Sequence, residues 1–401
     1  MKILMGSHFF ASHSGGVEIV ADRLFHEFAI TGNEIVWIAG NTTAAPNPVG
    51  SSRTVSIKVF NFIEDRFGLP IPIPTFNALR NILREVRRAD ALILHDCLYL
   101  TNIAAFLLAK ARKTPTIIVQ HIGSIRYDSP VLRLLMRLAN SIFTRPMLSR
   151  ADQVVFISES TRNYFAGLRF KNMPELIYSG VDTDLYQPIR SRDAKSAVRA
   201  KYGLPDDCPV ILFVGRFVAS KGLSILKRMV HERADWTWVF AGRQGPFDPS
   251  RWNATNARVF LGPPDDTVAE LYQACDLFVL PSRYEAFSLV VREALASGLP
   301  AVCTHDVLMS DPAIGPYIRV ASIFPNDDDR TSHEFLSAID SLLNSGEMSP
   351  VNSAERHNFA ASRYSWDAAV GQYIKIVSRL IREATAHSAD NPIGATKPEE
   401  H

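Results

Sequence analysis

Residues Pro281 to Pro300 read PSRYEAFSLVVREALASGLP and follow directly on the apolar run Leu277-Phe278-Val279-Leu280. Four consecutive apolar residues bounded by a proline read as a buried parallel strand. From Ser288 onward the spacing of Leu289, Val290, Glu293 and Leu295 reads as a helix, with Gly298 as its stop. The segment is therefore strand, short loop and helix, with Glu285 in the loop and Glu293 inside the helix. A helix that begins just after a parallel strand presents unpaired N–H groups and a partial positive charge, which make a seat for phosphate. Glu293 falls about five residues into that helix, roughly 7 Å along its axis at ~1.5 Å per residue. A diphosphate on the helix end thus has one carboxylate near each of its two substituents. That suits a nucleotide sugar, with one acid for sugar hydroxyls and the other for ribose hydroxyls.

The pattern PS..EAF.L...EA.A.G.P, with seven residues between Glu285 and Glu293, resembles the signature of the retaining family 4 glycosyltransferases (glycosyltransferase group 1). The resemblance implies an α/β fold of two facing Rossmann-like domains, the GT-B arrangement, with an interdomain cleft and the donor held on the C-terminal domain. Many members carry glycine where Ala286 and Ser288 stand; both replacements are small and still allow backbone to approach phosphate. A surface helix with two solvated glutamates is the bland alternative for this segment.

The whole-chain numbers suit such an enzyme. At 401 residues the chain is long enough for two domains, each with its own core. Hydrophobic residues make up 47% and charged residues 21%, a globular composition. A net charge of +2 argues for neither a nucleic acid nor a strongly acidic partner, and no nucleic-acid partner is expected. Cys97, Cys208, Cys275 and Cys303 are too scattered for a metal knuckle or redox pair, and three lie in or beside apolar runs. The chain reads as a protein of a reducing, cytoplasmic compartment. No signal peptide or membrane span stands out: the apolar stretch Ala91–Ala111 is interrupted by His95, Asp96 and Asn102.

Strand and helix patterns alternate almost throughout, which predicts doubly wound α/β architecture. In the first half the strands expected are Ile3–Gly6, Ile35–Ala39, Val55–Phe60, Ala91–His95, Thr116–Gln120, Val154–Ile157 and Leu176–Tyr178. In the second half they are Val210–Val214, Trp236–Ala241, Arg258–Leu261, Leu277–Leu280 and Ala301–Cys303. The first domain is expected over residues 1–180 and the second over 181–363, with the joint in SGVDTDLYQP, Ser179–Pro188. The resemblance implies that a C-terminal helix, about 364–385, crosses back onto the first domain, and that the joint takes up part of the domain closure. Residues 387–401 are polar with two prolines and read as a disordered tail.

Four further positions line up with the family pattern. Gly15-Gly16, after the first strand, read alone as a tight turn; the resemblance makes them the N-domain wall of the cleft, near the donor phosphates or the acceptor. Gly215, Arg216 and Lys221 lie in GRFVASKG, between a strand and a helix, where two cations neutralise a departing diphosphate. His121 directly follows Thr116–Gln120; alone it reads as a satisfied structural histidine, and the resemblance implies that it reaches the donor sugar. His95-Asp96 ends the preceding strand and is a similar crevice candidate. The joint Ser179-Gly180-Val181-Asp182 stands where the family commonly shows Asn-Gly-Val-Asp. Its Asp182-Thr183-Asp184 mimics the metal-binding pair of a different glycosyltransferase fold, a reading disfavoured by its place in a linker.

The stretch Pro130–Leu148 reads as one basic amphipathic helix, with Arg133 and Arg137 on one face, Arg145 and Arg150 following, and no acid from Ser129 to Ala151. An element of that kind lies on an anionic membrane or packs on a core with its basic face in water; the pattern leaves both open.

These readings combine into a metal-independent, retaining glycosyltransferase without a cofactor, moving a hexose from a nucleotide-diphosphate sugar to a glycan or lipid-linked acceptor. Polysaccharide or glycolipid biosynthesis is the expected setting, with peripheral contact at the inner face of the membrane. Catalytic roles fall to His121, Arg216, Lys221 and Glu285, and donor binding to Gly15, Gly16, Gly215, Ala286, Phe287, Ser288, Leu289 and Glu293. A nucleotide-sugar epimerase of the same fold and a catalytically silent nucleotide-sugar-binding protein are the two other classes.

Overall fold

The computed structural model describes residues 1–13, 15–60, 73–123, 130–345 and 350–389. It divides into two compact units. The N-terminal unit comprises Met1–Ile157, Thr161–Ile177 and the C-terminal segment from Asp367; the C-terminal unit comprises Ser158–Ser160 and Tyr178–Trp366. Apart from the three residues Ser158–Ser160, the chain passes from the first unit to the second between Ile177 and Tyr178, a few residues ahead of the expected boundary at Gly180.

Among the described residues the N-terminal unit carries a seven-stranded parallel sheet built from β1 (Lys2–Gly6), β2 (Glu34–Gly40), β3 (Ser52–Ile57), β6 (Ala91–His95), β7 (Thr116–Gln120), β8 (Gln153–Phe156) and β9 (Glu175–Leu176). Their order is β3-β2-β1-β6-β7-β8-β9. The expected strand Val55–Phe60 is two pieces. Its second part, β4 (Val59–Phe60), leaves the sheet and pairs antiparallel with β5 (Ile73–Pro74). The C-terminal unit repeats the plan with β10 (Val210–Val214), β11 (Thr237–Gly242), β12 (Ala257–Leu261), β13 (Leu277–Leu280), β14 (Ala301–Thr304) and β15 (Ile318–Ala321), in the order β12-β11-β10-β13-β14-β15.

Both sheets reverse their direction of strand addition at one place, between β1 and β6 and between β10 and β13. Helical crossovers then run to opposite faces, and the loops leaving the C-terminal ends of those two strands part to form a crevice. The central strands are buried from end to end, as their uninterrupted apolar runs require: no residue of β6, β7, β10 or β13 is exposed.

Helix starts follow capping chemistry. Thr75, Ser191 and Asp327 each accept a backbone N–H three residues on, opening Phe76–Arg88, Arg192–Tyr202 and Asp328–Leu343. The aspartate run at 327–329 is more than a solvated cap, since Asp328 and Asp329 also pair with Arg283 and Arg228. The element from Pro130 is not one α-helix: Pro130–Ala139 and Arg145–Arg150 are joined by a π-helical turn, Asn140–Thr144.

The last helix, Trp366–Ala389, runs past residue 385 and takes in 387–389, which the sequence pattern assigned to the tail; residues 390–401 of that tail lie outside the described residues. Most of this helix belongs to the N-terminal unit, where Tyr373 packs on Phe28 and Arg379 donates to Gln153 at 2.7 Å. At the start of the joint, Ser179, Gly180 and Val181 are buried. Val181 N donates to Tyr364 O at 2.8 Å and bridges Ser365, while a Cβ on Gly180 would strike the Trp366 ring. Asp182 caps a local turn through Asp184 N and Leu185 N.

Candidate active site

In the C-terminal unit the crevice lies where β10 and β13 end, and both loops leaving them carry the predicted residues. The β10 loop holds Gly215, Arg216 and Lys221; the β13 loop holds Glu285 and leads through Ala286, Phe287 and Ser288 into the helix Leu289–Ala296. Backbone fastens the two loops together. Ser220 O accepts from Arg283 N at 2.7 Å and from Ser282 Oγ at 3.1 Å. Gly222 sits at φ +75°, and a Cβ there would lie 2.2 Å from Pro281 O, so only glycine allows this approach.

This stitching brings Lys221 to Glu285, 64 residues along the chain, with Nζ–Oε1 at 2.5 Å. Glu285 is 7% exposed and Lys221 23% exposed, so the pair is largely out of water. Arg216, on the same loop, is exposed and has no side-chain partner among the described residues, which leaves its guanidinium available to an anion. Tyr284, just before Glu285, is held at φ +71°, a left-handed conformation a tyrosine rarely adopts, with its N–H on Asp306 at 3.0 Å.

At the N-cap of Leu289–Ala296, the buried Ser288 hydroxyl has no hydrogen-bond partner among the described residues and makes no capping bond. A buried hydroxyl without a partner beside free helix N–H groups is a polar vacancy suited to a ligand oxygen. Glu293 does not meet Glu285. It pairs with Tyr272, whose hydroxyl lies 3.1 Å from Oε2 and 2.9 Å from Val290 O. Burial pushes the Glu293 carboxyl up to about 7, with the negative charge of Asp265 adding to the rise and the Tyr272 bond opposing it.

A buried arginine, which the motif reading passed over, organises this loop. Arg292 is fully buried; its guanidinium stacks over Phe287 with the carbon 4.0 Å from the ring centroid, and faces Tyr364 at 5.3 Å. It donates to Ser288 O at 3.1 Å and to Ser310 Oγ at 2.8 Å. The available signal was a charge among Val290, Val291, Ala294 and Leu295, out of step with an apolar stripe. Tyr364 in turn donates to Asp311, which Arg363 also grips.

The N-terminal unit has its own polar cluster where β6 and β7 end, beside the reversal between β1 and β6. His95 Nδ1 and His121 Nε2 are 2.9 Å apart and both rings are buried. Burial drives the His95 pKa down to about 3 and lowers that of His121, aided there by His95, so the pair is neutral and one ring donates to the other. Asp96, at φ +61°, accepts from His121 N at 2.8 Å, Ile122 N at 3.2 Å and Gln120 Nε2 at 2.9 Å through one oxygen; the other is buried and has no hydrogen bond among the described residues. Burial pushes Asp96 up to about 7 and the charge of Glu18 adds to it, against the two backbone N–H bonds.

Gly15 is the N-cap of the helix Gly16–Ile30, and Glu18 at its third position turns back over it: a Cβ on Gly15 would lie 2.1 Å from the Glu18 carboxylate. Among the described residues nothing lies within 4 Å of a Cβ built on Gly16. Among the described residues no cluster of three histidines, cysteines or acids is disposed to hold a metal ion. The four cysteines are unpaired thiols, and burial raises those of Cys97 and Cys303, the latter to about 12.

Two Rossmann-like units, each with polar residues gathered at or beside its switch point, define the GT-B class of α/β protein. Two family descriptions match consecutive parts of the chain: Glycosyltransferase Family 4 over residues 14–185 and Glycosyl transferases group 1 over residues 194–358. The chain belongs to this glycosyltransferase family.

An uncharacterized glycosyltransferase of Methanocaldococcus jannaschii is 29% identical over 54% of this chain and 57% of its own length. An N,N'-diacetylbacillosaminyl-diphospho-undecaprenol alpha-1,3-N-acetylgalactosaminyltransferase of Campylobacter jejuni is 26% identical over 70% of this chain and 75% of its own. Against many curated relatives the matched stretch spans about half of the relative's length. In fold, HepE of Anabaena, solved in complex with UDP and glucose, superposes with a TM-score of 0.69 at 17% identity, over 94% of this chain and 99% of its own.

Proposed function

We propose that this chain is a retaining glycosyltransferase that moves a sugar from a nucleotide-diphosphate sugar to a glycan or lipid-linked acceptor, with no metal or cofactor. The observation that carries the reading is the Lys221–Glu285 pair at the start of Leu289–Ala296; the loop of Lys221 also carries the exposed Arg216, without a side-chain partner among the described residues. The diphosphate takes the helix end and the Ser288 hydroxyl, with Arg216 and Lys221 as its cations. Glu285 accepts sugar hydroxyls and Glu293 ribose hydroxyls. Gly215, Ala286, Phe287 and Leu289 form the backbone around the donor, and Gly15, Gly16 and His121 are the N-terminal unit's contribution to the reactants.

In the reaction, the bond from the anomeric carbon to the β-phosphate oxygen breaks and the acceptor oxygen bonds to the same face of that carbon. The acceptor's hydroxyl proton passes to the departing phosphate oxygen, which gives a glycoside and a nucleoside diphosphate. The two cations stabilise the negative charge growing on the leaving group, an effect worth a few kcal/mol of barrier per well-placed donor (~3 kcal/mol). Support for a lipid-linked acceptor comes from the Campylobacter relative, whose name specifies an undecaprenol-linked substrate. Contact with an anionic membrane at the inner face of the cytoplasmic compartment belongs to the same reading.

A thermal-shift screen with UDP-, GDP- and ADP-sugars tests donor binding, since a ligand that binds only the folded chain raises its melting temperature. Nucleoside diphosphate released only when an acceptor is present supports the transferase. Conversion of the donor to its epimer without acceptor, or donor binding with no turnover across acceptors, overturns it.

A further inference from the structure

The segment after Pro130 turns an apolar stripe away from its own protein. No residue of Pro130–Ala139 is buried. Val131, Leu134, Leu135, Leu138 and Ile142 are 75%, 56%, 51%, 50% and 61% exposed. Their spacing of three, four, seven and eleven residues from Val131 is the spacing of one helix face, the face that a surface helix ordinarily buries. Arg133 and Arg137 flank it, exposed and without an ion pair among the described residues; Arg145 and Arg150 are exposed beyond the turn.

The π-helical turn explains how the stripe is held out. Beyond it Met147 and Leu148 enter the N-terminal core, and Thr144 is buried with its hydroxyl on Asn140 Oδ1 at 2.8 Å. The extra residue of a π turn shifts the register of the faces. The half Arg145–Arg150 is therefore anchored, while the ten residues Pro130–Ala139, about 15 Å of helix at ~1.5 Å per residue, present their apolar side outward.

We propose that this stripe is a docking surface for an anionic lipid bilayer, with Val131, Leu134, Leu135, Leu138 and Ile142 entering the acyl boundary and Arg133 and Arg137 meeting lipid phosphates. The charge pattern selects the occupant. No acid occurs from Ser129 to Ala151, so the flank complements a negative surface only. A second copy docking by two-fold symmetry would bring the same arginines toward their own equivalents. The proposal deepens the lipid-linked acceptor suggested above and rests on that reading for its purpose, though not for its geometry.

Co-sedimentation of the full chain with vesicles of phosphatidylcholine alone, and of phosphatidylcholine mixed with phosphatidylglycerol, tests it. The wild type is expected to bind the anionic vesicles, more weakly as salt rises, and to leave the neutral ones largely unbound. Leu134→Glu/Leu138→Glu and Arg133→Glu/Arg137→Glu are each expected to lower vesicle affinity at least about tenfold. Both should keep the wild-type melting temperature, because the replaced side chains are exposed. Wild-type absence from anionic vesicles at low salt, or equal binding by the variants, overturns the proposal. So does self-association of the wild type that Leu134→Glu/Leu138→Glu abolishes, which assigns the face to a second copy. Nucleoside diphosphate release with a water-soluble acceptor separates the two readings: vesicle binding without turnover leaves the surface standing and removes the transferase.

Discussion

Lys221 donates to Glu285 at 2.5 Å, so a cation assigned to the diphosphate and a carboxylate assigned to the sugar neutralise each other across the junction of two loops. The pair orients both groups before a ligand arrives, and each keeps the other's charge tolerable in a site mostly out of water.

Removing one partner leaves an uncompensated charge behind. Lys221→Ala and Glu285→Ala are each expected to lower kcat/KM at least about tenfold, the loss typical of one missing electrostatic contact. The double variant should lose less than the product of the two single losses, because the groups act as a unit. Steady-state kinetics of the three proteins measure this; strictly multiplicative losses would refute the coupling.

Arg292 supports the same loop from within. Arg292→Leu removes the bonds to Ser288 O and Ser310 Oγ and the cation over Phe287, and is expected to destabilise the chain by about 3 kcal/mol. Arg292→Lys keeps a charge but not the flat guanidinium, so it should recover only part of that loss. Urea unfolding of both variants reads the difference, and a Lys variant as stable as wild type would show that charge alone suffices.

Glu293 ties stability to pH. Its folded pKa of about 7 stands above the ordinary glutamate value of 4.5, so folding favours the neutral acid. The resulting stabilisation is fully present below about 4.5 and is lost as pH rises through about 7, by up to ~3 kcal/mol at 1.36 kcal/mol per unit. Glu293→Gln should flatten the unfolding free energy across that window relative to wild type. A variant that retains the wild-type slope assigns the titration to another group.

The two crevice histidines remain neutral at physiological pH, since burial holds His95 near 3 and also lowers His121. A step in kcat near neutrality is therefore expected to come from Asp96 or Glu293, both at about 7. Asp96→Asn should remove or move that step in a pH–rate profile. An unchanged step in both Asp96→Asn and Glu293→Gln would return the assignment to histidine.

Tyr284 offers a test of loop strain. At φ +71° a non-glycine residue carries a conformational cost of roughly 1–2 kcal/mol, and its half-exposed ring contributes little burial. Tyr284→Gly is expected to raise stability by about 1 kcal/mol, with part of the relief offset by chain entropy. A fall in the urea midpoint would mean that the ring's contacts outweigh the strain.

Most central strands could be read from uninterrupted apolar runs such as Val210–Val214 and Ala91–His95, because a strand buried on both faces leaves no other pattern. Edges were harder. Ile318–Ala321 is half-buried and follows a proline-rich turn, and Arg192–Tyr202 is a polar helix with little apolar periodicity. The break at Lys58 depends on β5, which pairs with the second half of the expected strand. Glu285, Lys221 and Arg216 were singled out through the family resemblance, and the sequence placed them in loops between a strand and a helix without saying that Lys221 and Glu285 pair.

Local order was thus determined by the chain alone: alternating strands and helices, the glycines at tight approaches, and the loops that carry the charged residues. These follow from steric limits and side-chain periodicity within about ten residues, which any stretch of sequence expresses by itself. Partnership was decided only by the tertiary structure. Lys221 reaches Glu285 because the sheet reverses its winding between β10 and β13, His95 reaches His121 because β6 and β7 pair side by side, and Tyr272 reaches Glu293 from a separate helix. Arg292 is buried by Phe287, Ser288 and Ser310, and the Val131–Ile142 stripe is left exposed beyond a π-helical turn. Which face of an amphipathic helix meets protein depends on what the rest of the fold brings against it, and residue spacing carries no record of that.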